Sequence, residues 1–275
     1  MATQRLDDAL VARGLAASVD EARRLSLAGA VISADRLLTK PGMSIATDAP
    51  LALKSTQAHV SRGGDKLAGA LDDLTIDPAG WRCIDIGAST GGFTDCLLKH
   101  GARQVTAVDV AYGQMAWSLR TDERVVLMER TNIRELSPEA VGAPFDLAVV
   151  DLSFIGLARL LPHLRSFIEP QGALLVLIKP QFELPPSAVD QGGVVTDRHA
   201  HLRALDAVLA AAREAGLSPQ GLVSSRLKGP AGNIEFFLWA RIGGIPATID
   251  PEAVVRSVWM ANDRPTTPLA RIPSD

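Results

Sequence analysis

Apolar positions recur along the chain with two rhythms, and the change of rhythm divides it. Over roughly the first 55 residues the spacing is helical. Leu6, Leu10 and Val11 form an apolar stripe that ends at Gly14. Ser18-Val19-Asp20-Glu21 then reads as a capping box, with the Ser18 hydroxyl on the Glu21 amide and Glu21 reaching back. The helix it starts turns Ala22 and Leu25 inward and Arg23 and Arg24 outward, and Gly29 closes it. A strand over 30–33, a turn and a strand over 51–53 complete a small αα-plus-hairpin unit.

Beyond residue 56 short apolar runs alternate with helical stretches. Strands are predicted over 82–86, 105–110, 125–128, 145–150, 173–178, 222–226 and 234–239. Helices are predicted over 93–99, 157–167 and 199–214, the last broken by Gly216. This alternation predicts an α/β fold, a mostly parallel, Rossmann-like seven-stranded sheet covered by helices on both faces. Ligands of such sheets bind beyond the carboxyl ends of the strands. The expected organisation is a small α+β head over 1–55, a large α/β domain over 56–245 and a partly disordered tail over 246–275.

Composition narrows the function. Of 275 residues, 47% are hydrophobic and 21% charged, which suits a globular chain with a sizeable core. Aromatics make up 4% with a single Tyr, too few for a single-strand binder built on rows of stacking rings. The net charge of −3 excludes a uniformly basic nucleic-acid binder but not a local basic face. No run reaches the ~18 apolar residues of a membrane helix. The start, MATQRLDDAL, carries charge where a signal peptide has its apolar region, so a cytoplasmic chain is expected. Cys83 and Cys96 lack metal-ligand spacing and read as reduced thiols, and no metal site is expected. His199 and His201, two apart on a helix, do not share a face. The four tryptophans read as core or edge packing.

The most informative stretch is Cys83-Ile84-Asp85-Ile86-Gly87-Ala88-Ser89-Thr90-Gly91-Gly92-Phe93, between a strand and a helix. Its glycines let backbone approach a ligand at a helix N-terminus. A dinucleotide site would want G-x-G-x-x-G, whereas this loop is G-x-x-x-G-G. Asp109, at the end of the next strand, can accept both hydroxyls of a ribose. A nicotinamide site and a purely structural turn are the alternatives.

Four ionisable residues fall at strand or helix ends: Lys66 after Ser61-Arg62-Gly63-Gly64, Asp151 in V-V-D-L-S-F, Lys179 in L-I-K-P-Q-F-E and Glu235 in G-N-I-E-F-F. A charge directly after a buried strand is costly unless solvated or paired. Taken singly each suits a surface charge or a structural ion pair. The stretch from Gln181-Phe182-Glu183 through Gly192-Gly193-Val194-Val195 reads either as an active-site loop or as a plain crossover.

Two resemblances follow from these motifs. Residues 3–52, with R-G-L, S-x-x-E-A-R-R and A-G-x-V, resemble the S4 RNA-binding domain, although Ser33-Ala34-Asp35-Arg36 lacks that family's usual glycine turn. The D-I-G-A-S-T-G-G-F-T-D run resembles motif I of S-adenosylmethionine-dependent methyltransferases of the FtsJ-like kind. The Lys–Asp–Lys–Glu order with its flanks resembles that family's catalytic tetrad. Together with the head, the chain resembles the TlyA family of ribosomal RNA ribose 2′-O-methyltransferases, some of whose members carry the label hemolysin.

The resemblance implies S-adenosylmethionine as cofactor, with Gly87, Ala88, Ser89, Gly91, Gly92 and Phe93 at its methionine end. It also implies Asp109 on the ribose, Asn132 near the adenine and Asp85 at the amino group. It implies Lys66, Asp151, Lys179 and Glu235 as catalytic residues, with Lys179 closest to the target hydroxyl. Lys179 would act as a neutral amine base or as a cation stabilising alkoxide. Lys66 would lower its pKa and help hold the nucleotide, Asp151 would orient it and sit near the methyl, and Glu235 would fix the lysine geometry. Arg5, Arg13, Arg23, Arg24 and Arg62 are the expected RNA contacts. The expected partners are ribosomal RNA or ribosomal subunits, with cytidine as target and a monomer as the default state. The alternatives are an inactive RNA-binding or ribosome-assembly protein, a small-molecule methyltransferase and a hemolysin.

Overall fold

The computed structural model describes residues 2–34, 36–53 and 58–262. The chain forms two compact units, Met1–Ala58 and His59–Asp275.

In the first unit, helices Leu6–Ala12 and Val19–Leu27 pack on short strands, with Leu6, Leu10, Ala22 and Val31 fully buried. Thr3–Arg5 pairs antiparallel with Ser44–Ala46, and Val31–Ser33 lies between Arg36–Leu37 and Ala52–Leu53. The Ser18 hydroxyl caps the Glu21 amide as expected, but the Glu21 carboxylate accepts from the Ala17 N–H rather than from Ser18. Where the S4 pattern has a glycine turn, Ala34 adopts a left-handed backbone with φ 43°. That conformation costs an L-residue about 1 kcal/mol. Asp35, at the same tip, lies outside the described residues.

The second unit is built on one seven-stranded sheet. Its strands are β1 (Arg82–Ile86), β2 (Gln104–Val108), β3 (Val125–Met128), β4 (Phe145–Val150), β5 (Ile168–Ile178), β6 (Leu217–Ser224) and β7 (Phe236–Ile242). Their order across the sheet is 3-2-1-4-5-7-6, with β7 antiparallel to both neighbours and the other pairings parallel. The helices are α1 (Arg62–Asp73), α2 (Gly92–Lys99), α3 (Trp117–Arg120), α4 (Leu161–Arg165), α5 (Pro180–Glu183), α6 (Arg198–Glu214) and α7 (Pro251–Asn262). Two apolar layers sandwich the sheet, one with α1 and α2 (Leu67, Leu71, Phe93, Leu97), the other with α4 and α6 (Leu164, Leu205, Leu209). Alternation along β1 sends Ile84 and Ile86 into the second layer and Cys83 into the first.

Several expectations are corrected. Residues 251–262 are not tail but the helix α7, whose Val255 is fully buried, and α7 packs on α6 and β6. An apolar stripe with a sheet to cover explains why that stretch folds. Residues 263–275 lie outside the described residues. The helix predicted over 157–167 is a short 3₁₀ turn, Leu157–Arg159, followed by α4. Glu235 precedes β7 rather than beginning it. Trp117 is 75% exposed and packs in no core. Among the described residues, no helix is long and apolar enough to cross a membrane.

Candidate active site

Sheet order puts the chemistry in a line. The switch point lies between β1 and β4, from which neighbouring strands run outward in opposite directions. At that edge β1 leads into Gly87, β4 into Asp151 and β5 into Lys179. Because β7 is antiparallel, its start lies at the same edge. The last β5–β7 pair is Ile178 with Phe236, so Lys179 and Glu235 leave the sheet side by side. With strands about 4.8 Å apart, the β1–β4–β5–β7 row spans about 14 Å.

The β1–α2 loop is shaped by close approaches. Gly87 (φ 88°) has no room for a side chain: a Cβ there would lie 2.3 Å from the Asp151 carbonyl oxygen. Gly91 (φ 93°) is equally closed, by Leu119 and Met115. Ser89 takes φ 49° and donates its N–H to Asp109 (2.7 Å), and the Ala111 N–H bonds the other Asp109 oxygen (2.7 Å). Asp109 therefore follows β2 with its carboxylate fixed against the loop. Asn132 follows the same edge. The Thr131 N–H bonds the Asp109 carbonyl, and the Asn132 side chain accepts from Arg134 N–H and donates to Glu135. Ala88, Gly92 and Phe93 are buried where the loop enters α2.

Asp85 is fully buried on β1. One carboxylate oxygen accepts from the Thr94 hydroxyl of α2 (2.6 Å), and the other is bonded to nothing. Burial pushes its pKa up to about 7. The Thr94 hydroxyl offsets part of that, and the Asp151 and Asp109 carboxylates push further the same way.

The four tetrad candidates form two ion pairs. Lys66, on the inward face of α1, bonds Glu235 at 2.5 Å, and both side chains are buried. Lys179 lies 2.5 Å from Asp151 Oδ1 and donates to the Ser153 hydroxyl at 3.0 Å. The first contact is electrostatic only: it is off the direction of a hydrogen bond, and Asp151 Oδ1 is buried without a hydrogen-bond partner. Glu235 thus holds Lys66 directly. Removing one member of a buried pair would leave an uncompensated charge, which costs about 3–5 kcal/mol. Lys179 and Glu235 both line one cavity of 420 Å³, together with Ser153, Phe154, Gln181 and Phe182. That volume suits a small ligand.

The segment after α5 belongs to this cavity and is no bare crossover. Asn233 is almost fully buried, donates to the Gly193 carbonyl (2.7 Å) and accepts from the Val195 N–H (2.9 Å). Glu183 accepts from the Leu157 N–H (2.8 Å) and so fastens α5 to the loop that follows β4. Burial raises the pKa of Glu183. Neither residue stood out in the sequence, although Asn233 and Glu183 sit inside the G-N-I-E and K-P-Q-F-E flanks.

The arginine candidates divide. Arg5 and Arg23 both engage the buried Asp7, yet each remains about half exposed. The Arg5 and Arg23 guanidinium groups hold the Asp7 carboxyl down to about 2, against the cost of its burial. Arg13 is tied to the Thr47 and Ala49 carbonyls, and Arg24 is exposed. Arg62, on the second unit, donates to the Lys228 carbonyl (2.8 Å) and bridges α1 to the β6–β7 turn.

A parallel sheet of this order, a glycine loop at its switch point and paired ammonium and carboxylate groups at the neighbouring strand ends define a methyltransferase. Residues 59–242 match the FtsJ-like methyltransferase family, and the chain belongs to that family. Its relatives are the TlyA proteins: it is 48% identical over 239 residues to the 16S/23S rRNA (cytidine-2′-O)-methyltransferase TlyA of Mycobacterium tuberculosis, a match covering 86% of this chain and 89% of that one. It is 34% identical to Hemolysin A of Brachyspira hyodysenteriae, over 84% of this chain and 97% of that protein. A solved hemolysin structure from Streptococcus thermophilus superposes with a TM-score of 0.73 at 36% identity, covering 94% of this chain and 97% of that one. S-adenosylmethionine is the methyl donor of such an enzyme. The site fits it: Asp85 offers an unpartnered buried acceptor to a cation, Gly87 clears the backbone and Asp109 offers a fixed carboxylate.

Proposed function

We propose that the protein methylates the ribose 2′-hydroxyl of a cytidine in ribosomal RNA, in the cytoplasm, with the four paired residues as its catalytic set. The observation that carries the reading is the row Gly87, Asp151, Lys179, Glu235 along four neighbouring strand ends. The names of the relatives support the substrate. The relatives with hemolysin names match this chain over most of its length, as the methyltransferase-named relative does, and mark no separate architecture.

Bound beside the glycine loop, S-adenosylmethionine supplies an activated methyl group. Asp85 and the loop hold its methionine end, Asp109 its ribose and Asn132 its adenine side. The remaining work is alignment and proton loss at a poor nucleophile. Asp151 Oδ1, ion-paired to Lys179 but without a hydrogen bond, would accept the target hydroxyl's hydrogen bond, with the Lys179 ammonium beside it. As the methyl passes from the sulfonium to the hydroxyl oxygen, its S–C bond breaking to leave the neutral thioether S-adenosylhomocysteine, Lys179 would stabilise the developing negative charge and the hydroxyl proton would leave toward Asp151. Two oxygen contacts at Lys179 Nζ favour this cationic role over that of a free amine base. Lys66 and Glu235 brace the β7 side of the cavity.

The S4-like head, residues 1–55, supplies RNA affinity through Arg5, Arg13, Arg23 and Arg24, with Arg62 on the catalytic domain. Incubation with labelled S-adenosylmethionine and separated ribosomal subunits, followed by mapping of 2′-O-methyl positions, tests the proposal. The expected product is a 2′-O-methylcytidine. Label on a base, or none on RNA, contradicts it.

A further inference from the structure

Among the described residues, few buried side-chain nitrogen or oxygen atoms lack a hydrogen bond, and three of these line the edge where the reaction is placed: Asp85 Oδ1, Asp151 Oδ1 (ion-paired to Lys179) and Gln181 Oε1. A buried acceptor without a hydrogen bond is costly, and such an atom in a site is explained by a ligand that completes it. The reaction gives partners to the first two. The third is left over.

Gln181 stands two residues after Lys179, in the first turn of α5, and lines the 420 Å³ cavity that also holds Lys179, Phe154 and Phe182. The Phe154 and Phe182 rings lie 5.0 Å apart, and Phe154 is 87% exposed with φ 65°. A bulky side chain in that backbone region is strained. The cavity therefore offers apolar ring surface, a cation at the reacting hydroxyl and one unsatisfied amide. A nucleobase attached to the reacting ribose has the matching needs: flat faces and a polar edge.

We propose that Gln181 is the specificity-determining residue of the cavity, its side-chain oxygen accepting a hydrogen bond from the exocyclic amine of the target base. The inference rests on the RNA-methylation reading above. With its oxygen turned to the base, Gln181 accepts from the N4 amine of cytosine, whereas O4 of uracil is met only if the amide turns over to present its Nε2. Gln181 is thus a reason for the pyrimidine chosen and takes no part in the transfer itself.

The test crosses one protein group with one substrate group. Full-length wild type and Gln181→Leu are each given substrate RNA carrying either cytidine or 2-pyrimidinone ribonucleoside, which lacks the amine, at the target position. Calorimetric binding of S-adenosylmethionine confirms that the variant is folded. Wild type is expected to prefer cytidine by about tenfold or more in kcat/KM, and Gln181→Leu to fall within about twofold of no preference. Where the variant turns over too slowly, the same ratio is read from the two RNA affinities. A wild type indifferent to the amine, or a variant that keeps the full preference, overturns the assignment. A wild type that methylates neither RNA contradicts the function itself and is thereby told apart from a failure of Gln181.

Discussion

Asp85 shows how one residue trades stability for binding. Its pKa in the folded chain is about 7, against an ordinary value near 4. Between those values the folded state holds a proton that the unfolded chain has lost. The contribution of Asp85 to stability is therefore largest at low pH and declines as pH rises through 7. Asp85→Asn keeps the shape without the charge. It should stabilise the cofactor-free protein by about 2–3 kcal/mol more at pH 8 than at pH 5, where the unfolded carboxyl is already mostly ionised but the folded one is not. Thermal melts at the two pH values check this, and an equal effect at both contradicts it. The same variant should bind S-adenosylmethionine at least about tenfold more weakly, because a charge-assisted contact is lost. The residue type was readable from the sequence at this position. Its protonation was not, because that depends on Thr94, Asp109 and Asp151, brought near by three different segments.

The contact between α1 and α2 sets the site at the scale of elements. Gly64 packs so tightly that a Cβ would lie 2.3 Å from the His59 side chain and 2.7 Å from the Gly92 carbonyl oxygen. Gly92 reciprocates, closed by Ser61 Oγ and Gly64 N. The S-R-G-G flank and the glycine loop are thus two sides of one interface, which delivers Lys66 to Glu235. Gly64→Ala should cost about 2–3 kcal/mol and lower Tm by about 5–10 °C. Unchanged melting would mean that the helices separate freely. Elements were legible where periodicity was strong: β1, β3 and β4 have the ends that the apolar runs predict. They were misread where tertiary contacts decide, as at α7, whose short apolar stripe (Val254, Val255, Val258) is obscured in the sequence by the Pro and charged residues around it and is covered by α6 and β6. The Lys66–Glu235 pairing was beyond the sequence, because it joins α1 to the residue just before β7, whereas Lys179 stands beside Asp151, the residue expected to orient it.

The two units differ in what they carry: residues 59–242 match the methyltransferase family, and the first unit has Arg5, Arg13, Arg23 and Arg24 exposed. Phosphate contacts by arginine contribute affinity without sequence information. Arg23→Glu combined with Arg24→Glu should weaken ribosomal RNA binding by at least about tenfold and flatten its salt dependence, while S-adenosylmethionine affinity stays unchanged. Filter binding across a salt series checks this. An unaltered salt slope would remove the helix Val19–Leu27 from the RNA interface. The central claim, that the groups at the β4 and β5 ends act on the hydroxyl while the β1 loop and Asp109 hold the cofactor, is tested most directly by single-turnover methyl transfer with Lys179→Ala at saturating S-adenosylmethionine. The account predicts transfer to ribosomal RNA slowed by about a thousandfold or more, with cofactor affinity within several-fold of wild type. Near-normal transfer in that variant would contradict it.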